Sequence, residues 1–380
     1  MSGSPSTLDD RLETLAARGV IIIDPRQTYV APEVSLERIS PGATLYPGTR
    51  LEGARTFIGA GAKIGSEGPA TVIDAAFAER AEIASGFVSG AVLLADAKLG
   101  ANAHVRAGTL LEEQASTAHA VGLKQTILLA FVTLGSLINF CDCLMAGGTS
   151  RSDHSEVGSG YIHFNFTPWG ERGDKATPSL IGEVVHGVFL DQRRIFLGGS
   201  GGMIGPLDVG YGAIAGAGQV LRADLGPGVL RVAAPRPIDR PIKPNMRDRL
   251  QPRLGKNIAY IAQLFALREW YRQVRLARLG PEDPNRPPIE AALEIIDQAI
   301  AERSKQLARF AEERGTKAPN FVHDPHTLPP CPWQFDALQE SKPGDHLVWV
   351  QSLSPGQVSE GRAWLQAIVD RVVTTVNDAL

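Results

Sequence analysis

Along much of this chain an aliphatic residue returns every sixth position with a glycine or other small residue close behind it. Four such blocks run without a break from Leu197, reading LGGSGG, MIGPLD, VGYGAI and AGAGQV. Earlier blocks are ISPGAT, LYPGTR and LEGART from Ile39, IGAGAK from Ile58, and LGANAH, VRAGTL and LEEQAS from Leu99. A half-buried strand alternates every two residues and an amphipathic helix every 3.6, so neither accounts for a period of six. A three-sided coil does. Each hexad makes one short strand and one tight corner, three hexads close a turn of about 18 residues, and the aliphatic side chains stack inward. Glycine, asparagine and aspartate suit corners that need positive φ. The pattern predicts a mainly β fold, a left-handed parallel β-helix; a Gly-rich antiparallel sandwich would scatter its glycines instead of phasing them.

The phase breaks in three places in the later coils: Ala146 to Gly158, Thr167 to Leu180, and the stretch EVVHGVFLDQRRIF before Leu197. A stacked coil tolerates insertions only at its corners, so these are predicted to be loops leaving the stack. After Leu221 the hexads stop. AAPRPIDRPIKP, from Ala233 to Pro244, holds four prolines and reads as a linker. From about Met246 the apolar residues recur at three- and four-residue spacing, which predicts helices to Gly280, from Pro288 to Arg314, and from Ser354 to Asp378. The expected organisation is an N-terminal helix and lead-in over 1–35, the β-helix over 36–225, a linker over 226–245 and an α-helical C-terminal domain over 246–380.

Composition narrows the functional classes. With 38 basic and 41 acidic side chains the net charge is -3, so no global field favours nucleic acid or anionic lipid. Arg268, Arg272, Arg275 and Arg278 make a local strip on the first C-terminal helix, read as the solvated rim of a packing helix in preference to a phosphate or nucleic-acid patch. No apolar run reaches the ~18 residues that span a bilayer, and the N-terminus lacks the features of a secretory leader, so a cytoplasmic protein is expected. Cys141, Cys143 and Cys331 are too few for a disulfide framework, and Cys141-Asp142-Cys143 is not a zinc knuckle; small buried strand residues are expected there.

The segment GVIIIDPRQTYVAPEVSLERISPGATLYPGTRLEG, from Gly19 to Gly53, resembles the lead-in to the β-helix of the bifunctional N-acetylglucosamine-1-phosphate uridyltransferases / glucosamine-1-phosphate acetyltransferases. HVRAGTLLEE, GLKQTILL, HFNFTPWGERGDKATPSLIG and FLGGSGGMIGPLDVGYGAIAGAGQVL follow in that family's order. The run from SDHSEVGSGYIHFNFTP to DKATPSLIG is also similar to a bacterial group related to UDP-N-acetylglucosamine pyrophosphorylases that carries a helical C-terminal extension.

The resemblance implies a homotrimer with its sites between subunits, a sugar phosphate or nucleotide sugar as ligand, and acetyl-CoA or another acyl-CoA as co-substrate. Arg106, Lys124 and Lys175 match or lie close to family residues that hold the sugar phosphate, and Asn165 matches one beside the acceptor amine. A phosphate dianion suits guanidinium and ammonium partners. The departures are equally specific. The family's catalytic histidine falls at Ser136, its tyrosine partner at Asn139, and Glu156 stands in place of an asparagine. The first insertion brings in His154 two residues before Glu156, and His163 follows on the next strand, so His154 or His163 with Glu156 or Asp153 as orienter are the expected base and its support. The other expectation is a non-catalytic sugar-nucleotide-binding or assembly module. The nucleotide loop of a uridyltransferase is absent, and LGGSGG fits the hexad phase instead of opening a helix. His104 and His119 lie in the coil without the HxxxxH spacing of a zinc hydratase of this fold, so no metal is expected.

Overall fold

The computed structural model describes residues 7–166, 177–233, 250–313, 315–321, 328–335 and 345–377, with only the backbone of 250–252 and 377. It is a left-handed parallel β-solenoid followed by an α-helical C-terminal region. Every ladder between its short strands is parallel. Lys98 pairs with Ser116 and Leu99 with Ile83, so like positions stack coil upon coil. Leu45, Ile64, Ile83, Leu99, Leu134, Val157 and Leu197 point inward on one such stack and are buried almost completely.

The coil has three faces. The first runs from Ile21–Ile22 through Thr44–Leu45, Lys63–Ile64 and their successors to Leu230–Arg231. The second begins at Tyr29–Val30 and passes through Ala103–Val105, the first half of Gly122–Leu128, the first half of Asn139–Met145 and Ile162–Phe164. The third begins at Phe57–Ile58 and includes Ala91–Leu93, Thr109–Leu111 and the second halves of the two long strands. The ladders therefore start at Ile21, upstream of the first hexad legible at Ile39. That first coil is irregular in sequence because 3-10 turns at Pro25–Gln27 and Leu36–Arg38 make its corners. Helix α1 (Leu8–Ala17) precedes it, closed by a capping box between Thr7 and Asp10.

The corners explain much of the polar sequence. Asn102, Ala120 and Leu137, one coil apart, all have φ near +57°. Their conformation is set by the stack, since a non-glycine residue pays for this region only when its neighbours hold it there.

The helices lie on the third face. Helix α3 (Leu250–Trp270) continues into a π-helical turn at Tyr271–Arg275. Helix α4 (Arg286–Glu312), the short α5 (His346–Gln351) and α6 (Pro355–Asn377) complete the bundle. Outward residues Val92, Leu110, Ile127 and Leu144 of the coil join Leu264, Leu267, Trp270, Ile296 and Leu365 in a second core, separate from the one inside the coil. The loop before Leu197 contributes a single turn, α2 (Val184–Gly187), whose Val184 N–H donates to Gln263 of α3. No helix of the described residues is long and apolar enough to cross a membrane.

The arginine strip departs from expectation. Arg275 and Arg278 are buried, because they face the coil and the tryptophans instead of solvent. Arg275 pairs with Glu112 and Glu113 of a coil corner, while Arg268 and Arg272 hold the fully buried Glu269. Arg278 stacks 3.9 Å from the Trp349 ring. Cys141 and Cys143 are buried on Asn139–Met145, as small strand residues.

Candidate functional site

Strand alternation puts two outward rows on the second face. One runs Phe87, His104, Gly122, Asn139, Ile162, and the other Arg106, Lys124, Cys141, Phe164. Neighbouring coils are about 4.8 Å apart, so Arg106 and Lys124 stand side by side at the far edge of this face. Both are exposed, and among the described residues neither forms an ion pair with a carboxylate. Arg106 Nη2 lies 3.8 Å from the Cys141 sulfur. Burial pushes the Cys141 thiol up, Asp142 adds to this, and Arg106 and Lys124 oppose it. The thiol is thus a neutral contact for the cations.

Asn165 joins the same edge, donating to Asp142 Oδ2 at 3.2 Å. Asp142 also pairs with Arg303 of α4 at 3.2 Å, and Arg303 donates to Gln125 at 2.8 Å. Gln125 and Asp142, with φ of +48° and +61°, are the corner residues that directly follow Lys124 and Cys141. The helical bundle therefore holds the corners beside the cationic pair. Burial raises the Asp142 carboxyl, chiefly against the pull of Arg303 and the Asn165 hydrogen bond. Lys175 lies outside the described residues.

The residues expected to supply a base do not gather at this edge. His154 lies 3.5 Å from Glu156, with Nδ1 2.8 Å from the Arg151 carbonyl. Glu156, however, pairs with Thr133 and Phe196 on the first face. Asp153 is engaged by Thr149 at 2.9 Å and Arg194 at 3.4 Å. His163 points into the coil, 3% exposed, with Nε2 2.9 Å from Ser179 Oγ and Nδ1 against the Cys141 carbonyl. Burial lowers its pKa to about 4, only partly offset by the hydrogen bond to Cys141. A neutral imidazole with both nitrogens engaged inside the coil has no route to a solvent-borne acceptor. The reason is strand alternation, which turns the side chain of His163 inward where Ile162 and Phe164 turn out.

One histidine that the spacing did not single out lies at the opposite edge of the second face. His119 Nδ1 is 3.0 Å from Ser136 Oγ on the next coil, at the corner between the first and second faces. The repeat itself carried the signal, since the two occupy the same place in successive coils. Between this corner and Lys124 lies Gly122. Its φ is not in the left-handed region, and a Cβ there would meet nothing nearer than Asn139 Oδ1 at 3.5 Å. The fold does not require this glycine, and its effect is to leave the face open between His119 and Lys124.

A cavity of about 230 Å³ lies elsewhere, at the seam of coil and helices, with Glu113, Arg275, Arg80 and His346 in its lining. Among the described residues no cluster of histidine, cysteine and carboxylates has the geometry of a metal site.

No family model matches the chain. Curated proteins do. The bifunctional protein GlmU of Micrococcus luteus is 31% identical over 216 residues, covering 57% of this chain and 38% of the relative. That of Nocardia farcinica is 30% identical over 222 residues, with 58% and 39% covered. That of Thermotoga maritima is 26% identical over 218 residues, with 57% and 43% covered. The chain thus spans about two fifths of the length of these relatives, and the similarity is distant.

Proposed function

We propose that this chain is a hexapeptide-repeat protein of the acyltransferase type that takes a sugar phosphate or nucleotide sugar across its second face, with an acyl-CoA as acyl donor. The observation that carries the reading is the adjacency of Arg106 and Lys124, two exposed cations on neighbouring coils without a carboxylate partner among the described residues. Each charge-assisted bond to a phosphate contributes about 1.5–3 kcal/mol. The open floor at Gly122 gives a pyranose ring room beside the cations, and Asn139 and Asn165 supply amide groups at its margin. Likeness to the acetyltransferase half of the relatives supports the donor, and Lys175 is a further phosphate ligand in this reading. Exposed Ile162, Phe164 and Val220 on the same face suit the contact with two further copies that a homotrimer would make.

A second reading has one specific observation in its favour: neither His154 nor His163 faces the cationic strip. On that reading the coil is a non-catalytic sugar-nucleotide-binding module. A thermal-shift screen of the full chain against glucosamine 1-phosphate, UDP-N-acetylglucosamine and acetyl-CoA tests both. Stabilisation by a sugar ligand and by acetyl-CoA, with the sugar effect lost in Lys124→Ala, is the expected result. Stabilisation by the sugar ligand alone supports the binding module, and no response to either sugar rules out both readings.

A further inference from the structure

From the pairing of His119 with Ser136 across two coils, 3.0 Å apart at the edge of the second face, we infer that His119 is the base of this site and Ser136 the group that orients it. The inference rests on the acyl-transfer reading of the same face.

His119 and Lys124 belong to one coil, and Ser136, Asn139 and Cys141 to the next. Leu137 N–H donates to the His119 carbonyl at 3.1 Å, Ser136 N–H to Ser159 Oγ at 3.1 Å, and Gly160 N–H to the Ser136 carbonyl at 2.8 Å. The corner is thus fixed by the ladder on both sides, and the serine cannot drift from the ring. His119 itself is exposed, and among the described residues its Nε2 makes no hydrogen bond to protein. With Nδ1–H donated to Ser136 Oγ, the lone pair sits on Nε2 and faces outward. That is the tautomer a base needs, set by a partner on the other nitrogen.

The distances fit one ligand. Strand residues advance about 3.3 Å each, so Gly122 lies some 7 Å from Lys124 along the strand, the length of a pyranose and its anomeric oxygen. With the phosphate on Arg106 and Lys124 and the ring over Gly122, the C3 and C4 hydroxyls, across the ring from the anomeric carbon, reach the His119 corner, while a C2 amine stays beside the phosphate. A ring hydroxyl oxygen attacks the thioester carbon of acyl-CoA, its proton passes to His119 Nε2, the carbon–sulfur bond breaks, and the departing thiolate takes up the proton. The products are an ester and free CoA thiol.

The test measures calorimetric affinity for glucosamine 1-phosphate and thiol release from acetyl-CoA with the full chain, for wild type, His119→Gln, His119→Ala and Ser136→Ala. The expected result is affinity within twofold of wild type in all variants, a loss in kcat of at least 100-fold at His119 and about 10-fold at Ser136→Ala, and partial recovery of His119→Ala by added imidazole. His119→Gln turning over like wild type overturns the inference and leaves the proposed function standing. A wild-type chain that binds the sugar phosphate yet releases no thiol overturns the inference together with the acyl-transfer reading, and leaves the binding module. Loss of affinity at His119 without imidazole rescue marks a structural residue and overturns the inference as well. A wild-type chain without affinity for the sugar phosphate removes the proposed function and the inference together.

Discussion

Arg303, about two thirds of the way along α4, pairs at 3.2 Å with Asp142 on a corner of the coil, and both side chains are almost fully buried. One charged contact thus joins the helical bundle to the corner that follows Cys141. Among the described residues Arg303 Nε and Nη1 have no hydrogen-bond partner, so the pair is incompletely compensated there. Removing one member of such a pair leaves a buried charge, while removing both leaves none. Arg303→Met is expected to destabilise the chain by about 3 kcal/mol, and Asp142→Asn combined with Arg303→Met to recover most of that loss. Urea melts of the two single variants and the double variant measure the coupling; additive losses would show that the two residues do not act as a pair.

Acid and base should act on two different buried groups. The folded-state pKa of His163 is depressed to about 4, below the ordinary imidazole value of 6.5. Its contribution is therefore present above pH 6.5 and lost as the pH falls towards 4, because the unfolded chain then binds the proton more readily. His163→Gln should flatten the stability profile between pH 6.5 and 4. An unchanged profile would mean that the ring takes up its proton as readily in the fold as in the unfolded chain.

Glu112 has the opposite sign. Burial raises its carboxyl, with Glu113 adding to the effect and Arg275 opposing it. A raised folded-state pKa makes stability greatest below the ordinary carboxylate range and lowers it as the pH climbs beyond. Tyr271 OH donates to Glu112 at 2.8 Å, so the proton sits where the π-helical turn meets the coil. Glu112→Gln should weaken the decline in melting temperature between pH 5 and 8, read by calorimetry in matched buffers. A decline as steep as that of wild type would contradict the assignment.

Docking of the bundle rests on apolar area. Leu110 is fully buried between the third face and the helices, and Leu110→Ala should cost about 2–5 kcal/mol. The same truncation at an outward position on the first face, such as Lys98→Ala, should stay within about 0.5 kcal/mol. Chemical denaturation distinguishes the two; equal effects would show that the third face is not the docking surface.

How much of this was legible follows from how each feature is written in the chain. The coil announces itself because Leu45, Ile64, Leu99 and Leu197 recur in phase, and the three long C-terminal helices follow from their spacing. The covered third face was also written, in AVLL from Ala91 and TILLAF from Thr126, apolar on both sides of the strand as strands buried on both faces are. Six-residue phasing absorbs those runs into the inner core and hides the second one. Direction at the site was harder. His163 and Phe164 are neighbours, yet one points inward and the other out, and only the register at Ile162 against Asn139 decides which. The pairing of His119 with Ser136 joins residues 17 positions apart at the same corner of successive coils, so the repeat carries it, but only once the coils are put in register across the irregular spacing.

The proposed phosphate site of the second face, Arg106 beside Lys124, is read most directly by phosphorus NMR of glucosamine 1-phosphate titrated with the full chain. The expected result is a shifted and broadened resonance with wild type, kept in Leu110→Val, weakened at least tenfold in affinity by Lys124→Ala, and abolished by Arg106→Ala with Lys124→Ala. A resonance that shifts equally with the double variant, or with none of the proteins, contradicts it.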